Sequence, residues 1–134
     1  MEQKLKKVLL SCLILASTLL ATVTNEYPSQ KILSSNTPIV DIRTPGEWRE
    51  SGLLKGAIPI MFFDARGGYN LEGFLKELHS KVDTTKPFAL ICRSGSRTTM
   101  LAKYLSDSYG YKIINLQGGM NFAKSKHLPI LPYK

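Results

Sequence analysis

In Cys92-Arg93-Ser94-Gly95-Ser96-Arg97 four residues, one of them glycine, separate a nucleophile from an arginine. The apolar run Phe88-Ala89-Leu90-Ile91 leads into Cys92, and a helical pattern opens at Arg97-Thr98 and closes at Gly110. A cysteine between the carboxyl end of a buried strand and the amino end of a helix faces unpaired backbone N–H groups and the positive end of the helix dipole. If the loop curls around the sulfur, as Gly95 permits, successive backbone N–H groups point inward and form an anion-binding concavity. The anion it steadies can be the thiolate, the reactive form of sulfur. A persulfide, Cys–S–S⁻, fits the same cradle. Ser94 and Ser96 can donate to a bound anion or simply follow turn propensity. Arg93 faces either a substrate anion or solvent. Arg97, a cation where helix dipoles disfavour cations, requires a carboxylate or an anion, and Asp41 is the partner expected for it. Taken alone, a cysteine at a strand end reads as inert core; the arginines, the glycine and the helix start reverse that reading.

The elements that would hold this loop alternate between strand and helix. Pro38-Ile39-Val40 reads as a buried strand ending at Asp41. Thr44-Pro45-Gly46-Glu47 reads as a helix start, with Thr44 as N-cap and Glu47 closing a capping box, and that helix stops at Gly52. Ala57 to Phe62 reads as a strand whose Pro59 marks an end or an edge. Asn70 caps a helix with Leu71, Phe74, Leu75 and Leu78 on one face. Phe88 to Ile91 is a strand, the helix after it is expected to turn Leu101, Tyr104, Leu105 and Ser108 inward, and Tyr111 to Leu116 is the next strand. Gly118-Gly119 leads into a last short helix, ended by Pro129 and Pro132. Asn25 to Ser35 has room for a short edge strand and a helical turn. The pattern predicts a three-layer α/β domain with a mainly parallel sheet covered on both faces. In such sheets, sites form at the carboxyl ends of strands, where Asp41, Cys92 and Gln117 fall.

The chain has 134 residues and a formal net charge of +8, room for one domain. Lys4, Lys6 and Lys7 precede an uncharged run from Val8 to Ala21 and the small residues Ala21-Thr22-Val23-Thr24. This is the layout of a secretory signal over residues 1–24, cut near 21–24, with a domain over 25–134 and an exported destination; the alternative is an uncleaved membrane anchor. Leu10-Ser11-Cys12 lies too early in the apolar run for a lipoprotein site. Loss of the leader lowers the formal charge to +6 and leaves Cys92 as the single cysteine, so no internal disulfide can form. The basic residues are scattered, which argues against nucleic-acid binding. His79, His127 and Cys92 lack metal-ligand spacing, and neither histidine is tied to Cys92 as a protease base would be.

Several pieces together resemble single-domain rhodaneses. These are Ile39-Val40-Asp41-Ile42-Arg43 with Glu47-Trp48, Gly56-Ala57-Ile58-Pro59-Ile60, the run from Cys92 to Arg97, Leu116-Gln117-Gly118-Gly119-Met120, and Leu128-Pro129-Ile130. They follow the family's order and cover nearly all of Pro38 to Ile130. The resemblance implies a five-stranded parallel sheet with helices on both sides. It implies a sulfurtransferase in which Cys92 takes a sulfane sulfur from a small anion such as thiosulfate and passes it to cyanide or a thiol, which could belong to a protein. It implies that Arg93, Ser94, Gly95, Ser96, Arg97 and Thr98 form the active-site and substrate-binding loop, and that Asp41 and Arg43 order it. No metal or organic cofactor is implied. Departures from the family pattern are Phe122-Ala123 near its tryptophan, His127 in place of its glycine, and Pro59 in place of its asparagine.

Three other functions compete. Phosphatases and arsenate reductases also pair a cysteine loop with an arginine, but with five intervening residues; a loop of four makes a smaller ring, better suited to one sulfur atom. A non-catalytic binding module of the same fold would generally have lost the cysteine. A thiol redox role would need a partner thiol. Trp48 reads as core packing.

Overall fold

A computed structural model describes residues 22–134, so all but the last three residues of the leader expected over 1–24 lie outside the described residues. Strands β1 (Val23–Glu26), β2 (Ile39–Asp41), β4 (Ile58–Pro59), β5 (Phe88–Ile91) and β6 (Ile113–Leu116) form one sheet in the order β1-β6-β5-β2-β4. Every pairing in it is parallel. The helices are α1 (Gln30–Ser34), α2 (Pro45–Ser51), α3 (Leu71–Lys81), α4 (Ser96–Tyr109) and α5 (Gly119–Ser125). Because side chains alternate across a strand, β2 and β5 send residues into two cores. Val40, Phe88 and Leu90 pack with Phe74 and Leu78 of α3 and Leu101, Ala102 and Leu105 of α4. Ile39, Ala89 and Ile91 pack with Ile32 of α1 and with Met120 and Ala123 of α5. All residues of β2 and β5 are buried, as continuous apolar runs in a doubly covered sheet should be.

The helix starts follow the sequence closely. Thr44 and Glu47 form the reciprocal capping box, Pro45 opens α2, and Asn70 Oδ1 accepts from Gly73 N–H at α3. Pro59 sits on the edge strand β4, where its missing N–H is tolerated. Four details differ. The strand expected over Ala57 to Phe62 shrinks to Ile58–Pro59, since Pro59 cannot donate to a ladder. The buried face of α4 is Thr98, Leu101, Ala102, Leu105 and Ser106, not Tyr104 and Ser108, which are exposed. Small residues at 102 and 106 let the helix lie close to the sheet, and that turns the bulkier Tyr104 outward. A short antiparallel ribbon, β3 (Leu53–Leu54) with β7 (Ile130–Leu131), was not expected. Sheet pairing also begins at Val23, two residues before Asn25, so a cut after Thr24 would split β1, whereas a cut after Ala21 would leave it whole.

His127 has φ +56, the one non-glycine residue with positive φ among the described residues. A left-handed backbone there gives the physical reason for a glycine at this place in similar chains. No helix among the described residues is long and apolar enough to cross a membrane.

Candidate functional site

The level carboxyl ends of β2 and β5, with Asp41 opposite Ile91, bring the sequence's candidate residues to one edge of the sheet. Cys92 follows β5 directly and has no exposed surface. Its sulfur accepts a hydrogen bond from Gly95 N–H at 3.2 Å and lies 3.6 Å from Thr98 Oγ1. Gly95 makes this turn at φ +99, a conformation natural to glycine. It is also the N-cap of the fourteen-residue α4, so the sulfur sits where the helix dipole favours negative charge. Of the six N–H groups expected to line the cradle, one reaches the sulfur. Those of Arg93, Ser94, Ser96, Arg97 and Thr98 have no protein acceptor among the described residues. Arg93, Ser94 and Ser96 are exposed and form the rim over the buried sulfur.

The back of the loop is fastened by α5. Met120 N–H donates to the Cys92 carbonyl at 2.9 Å and Asn121 N–H to the Arg93 carbonyl at 3.0 Å. In trans peptides the N–H points opposite the C=O, so the Arg93 and Ser94 N–H groups are turned away from α5. This close approach needs glycine at 119: a Cβ there would collide with the Cys92 carbonyl oxygen and come within 2.8 Å of the Arg93 carbonyl. Gln117 falls at the end of β6 as expected and leads into this turn.

Asp41 and Arg43 are both buried and paired, with Nη2 to Oδ2 at 2.8 Å. Arg43 Nε also contacts both Asp41 oxygens, at 3.0 and 3.1 Å. Nη1 donates to Ser51 Oγ at 2.6 Å, and Nη2 to the Gly52 carbonyl at 2.6 Å. Trp48 packs in the interior and donates its indole N–H to Asp41 Oδ1 at 3.1 Å.

Asp41 is not the partner of Arg97. Arg97 makes a two-pronged pair with Glu47, Nη1 to Oε1 at 2.7 Å and Nη2 to Oε2 at 2.8 Å. Asp41 already accepts from Arg43 and Trp48 inside the fold, whereas Glu47 projects from the first turn of α2 toward α4. The bond to Arg97 holds the Glu47 carboxyl down to about 2 from its usual 4.5, and the same contact raises Arg97 further. Glu47 was legible as a capping residue but not as the anchor of the loop arginine. The clue was available, since Arg97 demanded a carboxylate and Glu47 was one of the few acidic residues in the matching pieces.

Arg93, by contrast, has no ion-pair partner among the described residues and borders a small polar cavity of about 90 Å³ with Glu50, Ser51, Asn121 and Lys124. Sequence reasoning also passed over Thr99 and Asn115. Asn115 Nδ2 donates to Thr99 Oγ1 at 3.1 Å, directly behind the loop. Among the described residues no cluster of His, Cys, Asp and Glu is placed to hold a metal ion. The arrangement holds one buried sulfur beneath a loop with unpaired backbone N–H groups, with Arg97 held in place by Glu47.

Comparison with known proteins agrees with this geometry. Residues 25–125 match the rhodanese-like domain family. A putative sulfurtransferase of Bacillus subtilis, YtwF, is 33% identical over 82 residues, covering 61% of this chain and 68% of that protein. The chain spans about two thirds of the length of the curated relatives it matches. The polysulfide-sulfur transferase homodimer of Wolinella succinogenes has a similar fold, with TM-score 0.63, 22% identity, and coverage of 96% of this chain and 93% of that one. So does a Rhodopseudomonas palustris protein described as a possible tyrosine phosphatase, with TM-score 0.54, 24% identity, and 75% of each chain covered.

Proposed function

The chain belongs to the rhodanese-like domain family, and we propose that within it this protein is a sulfurtransferase that carries sulfane sulfur on Cys92. The observation that carries this reading is the Gly95 N–H bound to Cys92 Sγ at the amino end of α4, in a loop whose other N–H groups have no protein acceptor among the described residues. An inert core cysteine has no need of that setting.

The thiolate attacks the outer sulfur of a donor such as thiosulfate. The donor's S–S bond breaks, sulfite leaves with the electron pair, and Cys92 carries an outer sulfur with one negative charge. The unpaired loop N–H groups are the donors available to that anion. A thiolate or cyanide then attacks the outer sulfur, taking it as a persulfide or thiocyanate and releasing the Cys92 thiolate. No outside oxidant or reductant enters. Arg93, Ser94, Ser96 and Thr98 meet the donor or the carried sulfur. Arg97, Asp41 and Arg43 hold the loop.

Against the phosphatase reading, the loop has four residues between Cys92 and Arg97 where five would open a wider ring, and the Arg97 guanidinium is bound to Glu47 through one N–H of each Nη. The basic head and apolar run ahead of β1 support export, and the resemblance of an exported form to small periplasmic rhodaneses supports the periplasm as its destination.

Intact-mass spectrometry of purified protein after thiosulfate treatment tests both points. The expected result is a gain of about 32 Da that a thiol reductant removes and Cys92→Ser abolishes. No adduct, or turnover of a phosphorylated substrate without one, overturns the sulfur-transfer reading. The amino-terminal mass in the same spectrum reports whether the leader has been removed.

A further inference from the structure

The Gly95 carbonyl receives more donors than it needs. Thr99 N–H reaches it at 3.1 Å, Thr99 Oγ1 at 2.7 Å and Thr98 Oγ1 at 3.1 Å. Thr98 Oγ1 also lies 3.6 Å from Cys92 Sγ, and a hydroxyl has one proton to give. While that proton goes to Gly95, the sulfur can meet Thr98 only as a thiol donating S–H. An anionic sulfur requires the hydroxyl to rotate and donate to it. The rotation removes one donor from the Gly95 carbonyl and is tolerable because Thr99 supplies two others.

The direction of the Thr99 hydroxyl is itself fixed. Asn115 Nδ2 donates to Thr99 Oγ1 at 3.1 Å, so the Thr99 proton must point elsewhere, and Gly95 is its acceptor. The second Nδ2 proton goes to Asn25 Oδ1 at 3.0 Å. Asn115 is buried in β6, and its Oδ1 has no partner among the described residues. An amide with an orphaned acceptor burdens the fold, so what it contributes is its donors.

We propose that Thr99 and Asn115 are positioning residues that hold the Gly95 carbonyl and thereby free the Thr98 hydroxyl proton for a charged sulfur on Cys92. This rests on reading Cys92 as the nucleophile. The charged groups around the loop, Arg97 with Glu47 and Asp41 with Arg43, stay as they are.

Thr99→Val is the decisive variant, because Thr99 is exposed on α4 and valine keeps its shape while losing the hydroxyl. Two readouts are taken on the full chain: steady-state sulfur transfer from thiosulfate, and the alkylation rate of reduced Cys92 with iodoacetamide near neutral pH. The variant is expected to lose about tenfold in kcat and in alkylation rate with KM within about twofold, and Thr99→Ser to stay within about twofold of the original on both. Asn115→Leu should show the same loss of reactivity without a lower melting temperature, which a merely structural role would not produce. Thr99→Val reacting at the original rate, or Thr99→Ser failing to restore it, overturns the proposal. If the unaltered protein takes no sulfur from thiosulfate, the function reading fails while the alkylation comparison still decides the role of Thr99.

Discussion

Arg43 uses all five of its N–H groups on Asp41, Ser51, Gly52 and the Glu47 carbonyl, and it does so with 1% of its surface exposed. A lysine has three donors on one atom and cannot span acceptors on β2 and at both ends of α2. Arg43→Lys should therefore leave part of a buried carboxylate uncompensated and lower unfolding stability by about 3 kcal/mol. Urea unfolding measures it; a loss under about 1 kcal/mol would mean the lysine finds equivalent partners. The Asp41–Arg43 pair was legible because its members are two residues apart in a familiar pattern. The Arg97–Glu47 pair spans fifty residues and leaves no local trace. Only the electrostatic oddity of an arginine at a helix start pointed to it, and that oddity did not say which carboxylate answers.

At the scale of elements, the loop's shape is set from behind by α5. The Gly118–Gly119 turn lets two N–H groups of α5 reach the Cys92 and Arg93 carbonyls. A methyl at position 119 would press on backbone, not on a side chain that can swing away. Gly119→Ala should therefore displace the loop, cost about 3 kcal/mol and abolish sulfur loading of Cys92. Gly67→Ala is the control: it also has positive φ, but a Cβ there meets nothing within 4 Å, so its loss should be about 1 kcal/mol with loading intact. Loading and urea unfolding are read on both, and equal behaviour of the two would refute the docking argument. The helices around the site were readable because caps and Pro45 act locally, and β2 and β5 because a doubly covered strand is a solid apolar run. The β3–β7 ribbon was not, since two residues per strand carry no periodicity. The rotation of α4 was missed because Tyr104 and Leu101 are both apolar by residue type, while Ala102 and Ser106 reveal the packing face only by their small size.

For the molecule as a whole, the Glu47–Arg97 pair ties α2, which follows β2, to α4, which follows β5, and so clamps the two strand ends that carry the site. Its titration gives a pH signature. The folded carboxyl titrates at about 2 against 4.5 ordinarily, chiefly because Arg97 bonds to it. A carboxyl depressed in the folded state contributes stability above its unfolded value and loses it as pH falls toward the folded value. The contribution is thus full at neutrality and fades between about 4.5 and about 2. With both side chains about a quarter exposed, solvent screening trims the contribution to about 2 kcal/mol. Glu47→Gln should be less stable by about that amount at neutral pH, with the gap to the unaltered protein closing through that acid window. Urea unfolding across the range decides it. A gap that stays constant down to pH 2 would show that packing and the Thr44 cap, not the charge, account for what Glu47 contributes. A closing gap accompanied by weaker sulfur loading at neutrality would show that the same ion pair sets both the fold's acid limit and the posture of the cysteine loop.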